Sequence, residues 1–314
     1  MNHYFAPLEG ITDRVYRKLH HRFFPGIDQY YTPFFSPTVH HSLTPKETKE
    51  LPPAESLGYR AVPQLLTKVP EDFLWMAGKC HELGYKEVNL NVGCPSGTVT
   101  AKGKGAGMLA DPESLDRFLN EVFAQTSIDI SVKTRLGFAN ADEFPAILEV
   151  FNHYPIKHLT VHPRVRNAFY KGNVNLDTFA YAVKYSRAPV CFNGNLNSRK
   201  EIRTISQQFP KLVAVMLGRG LIADPGMLTP NGTDIGTLEA FYDALLEEYL
   251  IAFGGARNAM FRLKEHWRYL LCKFENTEKL AKQLRKTTDL TAYKAITREI
   301  FNNCPIRQNL MPDW

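Results

Sequence analysis

Residues 91 to 107, NVGCPSGTVTAKGKGAG, set a single thiol, Cys94, between a glycine and a proline. An apolar run stops there, and a glycine-rich loop bearing Lys102 and Lys104 begins. A cysteine kept for packing more often lies inside such a run; a titratable thiol at its end is placed for chemistry. Further along, Lys133 and Arg135 lie two apart in DISVKTR, on the same side of a strand as Ser131, and a buried lysine there calls for an anionic partner. NGN at 193–195 and GRG at 218–220 bring two glycine turns beside Arg219, the kind of backbone N–H pair that holds phosphate at the end of a barrel. Lys104 is followed by Gly105, so no Walker pattern forms and nucleoside triphosphates are disfavoured.

Such residues need a scaffold that gathers strand ends. Short apolar runs read as strands at 3–7, 29–35, 61–66, 87–92, 129–135, 158–162, 188–193 and 212–218. Amphipathic stretches lie between them, among them one started by Pro70 and stopped by Gly84, and one capped by Asp111 with Pro112 in its first turn. Eight strands alternating with helices fit a (β/α)8 TIM barrel, usually ~250 residues long. Pro7, Gln64, Asn91, Lys133, Arg135, His162, Asn193 and Gly218 then stand at strand ends, the working end of such a barrel. Each alone has a structural use; together they are harder to explain as packing. The segment 33–53 reads as an elaborated loop. Beyond about residue 231 the pattern becomes purely helical, so the expected fold class is α/β, a barrel over 1–235 followed by a smaller all-helical domain over 236–314.

The chain of 314 residues is 44% hydrophobic and 22% charged, with a formal net charge of +6. Between Arg257 and Arg298 there are eleven Lys and Arg against four Asp and Glu. That concentration, with Arg262, Lys264, His266 and Arg268 around Trp267 and Tyr269, suits phosphate contacts to a folded RNA, although Trp267 itself reads as core. Five scattered cysteines without C-x-x-C spacing argue against disulfides and a zinc site, and fit a reducing cytoplasm. No signal peptide or run of ~18 apolar residues is present, so no membrane partner is expected.

FAPLEGITD, VPQLL, NLNVGCP followed by V-x-x-x-G-x-G, SVKTRLG, TVHPR, FNGN and LGRG occur in the order and spacing of the tRNA-dihydrouridine synthases, and from Phe5 to about Asp224 the chain resembles that family. The resemblance implies an FMN-bound barrel that uses NADPH to reduce a uridine within tRNA, with the helical tail as the RNA-binding domain. It implies flavin contacts at Pro7, Leu8, Gln64, Lys133, His162, Asn193, Gly194, Asn195, Gly218 and Arg219, with Asn91 between flavin and substrate. Cys94 matches the general acid, and Arg135 and Arg164 match positions near the flavin or the RNA backbone. Lys102, Lys104, Arg262, Lys264 and Arg268 are the expected RNA contacts, and the enzyme is expected to be a cytoplasmic monomer without a metal. Leu8, Pro33, Pro163 and Asn195 depart from the family's usual residues. The competing reading is an FMN oxidoreductase of a free pyrimidine or small enone, similar to dihydroorotate dehydrogenases, which would not need a basic tail. An RNA-binding protein on a catalytically retired barrel would keep the tail but should have lost Cys94 and Lys133.

Overall fold

The computed structural model describes residues 1–312. Strands β1 (Asn2–Phe5), β2 (Gln29–Phe35), β3 (Ala61–Leu65), β4 (Glu87–Val92), β5 (Asp129–Arg135), β6 (Leu159–His162), β7 (Val190–Asn193) and β8 (Ala214–Leu217) close into a barrel in sequence order. Neighbours pair in parallel, and Asn2 N–H donates to Val213 O where the ring closes. The expected α/β architecture is therefore present, with a helical region after the barrel. Three strands match their expected bounds, β1 starts one residue earlier and ends two earlier than expected, and the other four are shorter by one to three residues, the usual uncertainty of strand ends.

The helix signals are explained by their caps. Asp111 accepts from Ser114 N–H at 3.0 Å to start Pro112–Gln125, and Pro70 opens Pro70–Glu82. The segment after β2 is not all loop, because Thr44 and Glu47 form a reciprocal capping box that starts a helix at Pro45–Glu50. Pro33 sits where the β2 and β3 register shifts, between Tyr31 and Phe34, a place where a residue without an N–H does least harm to a ladder.

Parity in β4 sets what fills the barrel. Val88, Leu90 and Val92 form the outer apolar face, and the strand packs against the helix Pro70–Glu82. Glu87, Asn89 and Asn91 project inward: Gln29 of β2 reaches Glu87 of β4 across β3, at 3.4 Å. The barrel interior is consequently polar. Its floor joins Glu87 to Lys157 at 3.2 Å and to Arg60 at 3.4 Å, with Tyr31 Oη 2.7 Å from His158 Nε2. Every buried charge there has a partner, as a low-dielectric interior requires.

Two compact units divide the chain. The first holds Met1–Pro7, Asp28–Asn195 and Arg203–Met216; the second takes Leu8–Ile27, Leu196–Ile202 and everything from Leu217. The helix Arg14–Phe23, read from sequence as part of the barrel, is thus grouped with the tail helices. Within the second unit it lies against Ile235–Ala252, with Tyr16 edge-on to Phe241 at 5.4 Å and stacked on His266 at 4.8 Å. Trp267 is core, as expected, and its Nε1–H donates to Tyr293 Oη at 2.9 Å.

Candidate active site

Strands β3 to β5 bring several of the expected residues into one hydrogen-bonded system. Gln64 and Asn89 face each other in register, as do Asn89 and Ser131, and Asn91 and Lys133. Gln64 Nε2 donates to Asn89 Oδ1 at 2.7 Å, Asn89 Nδ2 to Ser131 Oγ at 2.9 Å, and Asn91 Nδ2 to Gln64 Oε1 at 2.8 Å. Asn91 Oδ1 then accepts from the backbone N–H of Gly93 at 3.0 Å and of Cys94 at 2.9 Å. The expected Asn91 therefore fixes the backbone that carries the thiol.

After Cys94 the chain folds back on itself. Ala106 N–H donates to Cys94 O at 3.0 Å, and Gly105, at φ +57°, comes so close that a Cβ there would lie 3.0 Å from both Cβ and O of Cys94. Only glycine fits that turn without strain. Lys102 is exposed, while Lys104 is half-buried and donates to Ser36 Oγ at 3.3 Å.

Two arginines expected at the flavin or RNA have interior duties. Arg135, 1% exposed, donates from Nε to Gly93 O at 2.8 Å and from Nη1 to Val165 O at 3.0 Å. Burial lowers its pKa to about 10. Arg164, also buried, donates to Lys171 O at 3.1 Å and to His162 Nε2 at 2.9 Å. A guanidinium has no lone pair, so Nε2 must accept and the His162 proton sits on Nδ1. Pro163 lies inside this turn, where Arg164 N–H reaches back to His162 O at 2.7 Å.

Lys133 stands at the same mouth with no hydrogen bond or ion pair to its ammonium among the described residues. Burial, then the neighbouring Arg135, pulls its pKa down to about 8. A cradle is left by Gly194, where a Cβ would lie 2.8 Å from Val174 and 3.5 Å from His162. Asn193 Nδ2 donates to Met216 O at 2.8 Å, and Asn195 adopts φ +45°, which asparagine tolerates better than most residues. An unpartnered ammonium, an N–H-bearing imidazole edge and a side-chain-free turn suit an anionic, planar, polar-edged ligand. Pro7 follows β1. Leu8, Gly218 and Arg219 belong to the second unit, where Leu8 N–H donates to Thr12 Oγ1 at 2.9 Å and Gly218 caps the short helix Arg219–Ala223.

Of the expected RNA contacts on the tail, Arg268 is exposed. Arg262 lies 3.8 Å from Asp13 and over the Phe253 ring, and Lys264 Nζ caps the end of the helix Glu278–Lys286 through Thr287 O and Arg285 O. Sequence reasoning missed Tyr170, half exposed, whose ring lies 5.3 Å from the Arg135 guanidinium and 6.0 Å from His162. The adjacent aromatics of AFYKG, in a loop after a strand, were the available signal.

The family model for dihydrouridine synthases matches residues 4–304. The chain belongs to the dihydrouridine synthase family. It is 25% identical over 223 residues to tRNA-dihydrouridine synthase B of Pasteurella multocida, covering 71% of this chain and 66% of that protein. It is 29% identical over 242 residues to a probable tRNA-dihydrouridine synthase 1 of Synechocystis, covering 76% and 64%. The chain thus spans about two thirds of the length of these relatives. Among solved structures, morphinone reductase superposes with a TM-score of 0.52 at 11% identity, over 72% of this chain and 84% of that one. The old yellow enzyme homologue of Zymomonas mobilis does so at 0.51 and 11%, over 71% and 85%. These likenesses concern the fold. Within the dihydrouridine synthase family frame, the barrel mouth of this chain offers one half-buried thiol on a fixed loop beside an unpaired cation.

Proposed function

We propose that this chain is a tRNA-dihydrouridine synthase, reducing the C5=C6 bond of uridine in tRNA with FMN as bound cofactor and NADPH as reductant. The observation that carries the reading is the hold of Asn91 on the backbone of Cys94, with Lys133 opposite Asn91 on the neighbouring strand. The residues present fit a flavin. Lys133 supplies the positive charge that an electron-rich ring requires, His162 a ring N–H, Gln64 and Asn193 amide edges, and the Gly194 turn a place without side chains. When bound, the flavin supplies hydride to C6.

The chain's own residues do the rest. Protonation at C5 needs a small titratable donor within ~3 Å on the opposite face, and the Cys94 Sγ–H, on the loop held by Asn91, is the group assigned to it. Asn91 keeps that loop at a fixed height, and Arg135 ties Gly93 to the loop after β6. Cys80 and Cys191 take no part: both are fully buried, and burial raises the Cys191 thiol to about 12. The basic surface of the helical unit, the exposed Arg268 included, is assigned to tRNA phosphates. The working state is a cytoplasmic monomer that needs no metal.

The test is position-resolved mapping of dihydrouridine in tRNA from cells lacking the gene, restored with the wild type or Cys94→Ala. Loss at one or a few positions, rescued by the wild type alone, supports the reading. Unchanged dihydrouridine in the absence of a redundant enzyme sinks it, and reduction of free pyrimidines by the purified protein would then establish the dihydroorotate-dehydrogenase-like alternative.

A further inference from the structure

The loop after β6 carries an arrangement that the proposed chemistry does not use. The Arg166 guanidinium lies over two rings, 5.3 Å from the centroid of Phe138 and 5.4 Å from that of Phe169. Its Nη2 donates to Thr100 Oγ1 at 2.8 Å, and its backbone N–H to Gly137 O at 2.9 Å. Thr100 ends the short helix Gly97–Thr100 of the Cys94 loop, and a Cβ on Gly107 would lie 2.9 Å from Thr100 O, so this contact is seated in a tight part of that loop. The Cys94 loop is therefore held at Gly93 by Arg135 and at Thr100 by Arg166.

Phe169 is not placed there by burial. It is 42% exposed, next to Tyr170 at 50%, and its backbone is held at φ +49°, which a bulky residue adopts only against steric resistance. An aromatic side chain kept in a strained turn, with one side on a guanidinium and much of its surface in water, has the form of an unfinished stack. Exposed Lys171 follows it two residues on in the chain, and exposed Lys102 follows Thr100, the partner of Arg166, by two. Aromatic rings interleaved with arginine and bordered by lysine match the needs of unpaired nucleotides, whose bases stack while their phosphates take the cations.

We propose that the exposed side of Phe169 is a stacking site for the base of a nucleotide flanking the reacting uridine, and that Arg166 is a positioning residue that passes its occupancy to the Cys94 loop. The site rests on the tRNA reading above and gives it a second contact point on the barrel itself. Completion of the pile Phe138, Arg166, Phe169 and base fixes the guanidinium, and with it Thr100 and the far side of the thiol-bearing loop.

The test uses full-length flavin-loaded protein, with intact tRNA as substrate and free uridine as control. Phe169→Leu keeps an apolar side chain and removes the ring; Phe169→Trp restores a ring. Loss of one stacked base raises the KM for tRNA about tenfold in Phe169→Leu and, with the guanidinium no longer fixed, lowers kcat as well, both recovering in Phe169→Trp. Arg166→Lys lowers kcat with little change in KM. It also alters the maleimide modification rate of Cys94, located by mass spectrometry, before any RNA is added. A wild-type KM in Phe169→Leu, in an enzyme that does reduce tRNA, overturns the stacking site and leaves the function standing. Equal losses in Phe169→Leu and Phe169→Trp overturn it too, since they show a folding role. If the wild type neither binds nor reduces tRNA, the underlying reading fails and the site fails with it.

Discussion

Asn91 Oδ1 accepts the backbone N–H of Cys94 at 2.9 Å while its Nδ2 donates to Gln64 at 2.8 Å. One side chain thereby connects the loop holding the thiol to the polar interior of the barrel. In Asn91→Ala the N–H groups of Gly93 and Cys94 and the oxygen of Gln64 lose their partner, and an unmet buried polar group costs about 1–3 kcal/mol. The expected result is a lower melting temperature together with faster reaction of Cys94 with a thiol reagent. Asn91→Asp keeps the acceptor and should preserve the slow thiol reaction; an equally fast one would show that Oδ1 does not position the loop.

Replacement of Cys94 removes the proposed proton donor without disturbing the fold, since its hydrogen bonds are made by its backbone. Cys94→Ala is expected to reduce tRNA reduction by a factor of about 10²–10⁴, the usual worth of a positioned acid. Flavin content and melting temperature should stay near wild type. Full activity of Cys94→Ala in a single-turnover assay would remove the thiol from the reaction.

Lys133 yields a pH signature. Its folded pKa, about 8, lies below the ordinary 10.5 because burial disfavours the charged ammonium. Between those values the unfolded chain holds a proton that the cofactor-free fold has released, so this group makes stability rise with pH across the window. Below about pH 8 both states are protonated and the penalty is complete. Lys133→Met is therefore expected to raise the melting temperature of flavin-free protein at pH 7. The gain should shrink toward pH 10.5, while flavin retention on a desalting column falls. A difference between variant and wild type that does not vary with pH would contradict this assignment.

In the helical unit Lys273 lies 2.6 Å from Asp224, both nearly buried, and Thr233 also donates to that carboxylate. Removal of one partner from a buried ion pair costs about 3–5 kcal/mol. Lys273→Met is expected to lower the melting temperature markedly, and Asp224→Asn added to it should recover part of the loss. Additive losses in that double-mutant cycle would mean that the two charges do not interact.

The barrel was legible because its strands are short apolar runs with clear helix caps between them. Asn91, Lys133 and His162 stand out in sequence as candidates from their places at strand ends. The polar interior was less legible: EVNLNV reads as an alternating strand, and nothing in it says that the asparagine face is the enclosed one. Charge in the tail was misleading for a related reason. His266 counts among basic residues in sequence, yet it is fully buried between Tyr16 and Tyr249, with its pKa lowered to about 4 by burial. Arg166 and Phe169 escaped notice because their meaning lies in a pile of side chains from two different loops.

The internal duties of Arg262, Lys264 and Lys273 bear on how the protein would hold a polyanion. Each cation laid on a phosphate frees condensed counterions and steepens the fall of affinity with salt, by about 0.9 in logarithmic slope for a duplex. A guanidinium facing Asp13, an ammonium closing a helix end and an ammonium paired to Asp224 release none. On the proposed tRNA reading, the tail's grip on RNA should thus weaken with ionic strength more gently than its eleven basic residues between Arg257 and Arg298 suggest. More of the recognition then falls to shape and to the barrel mouth.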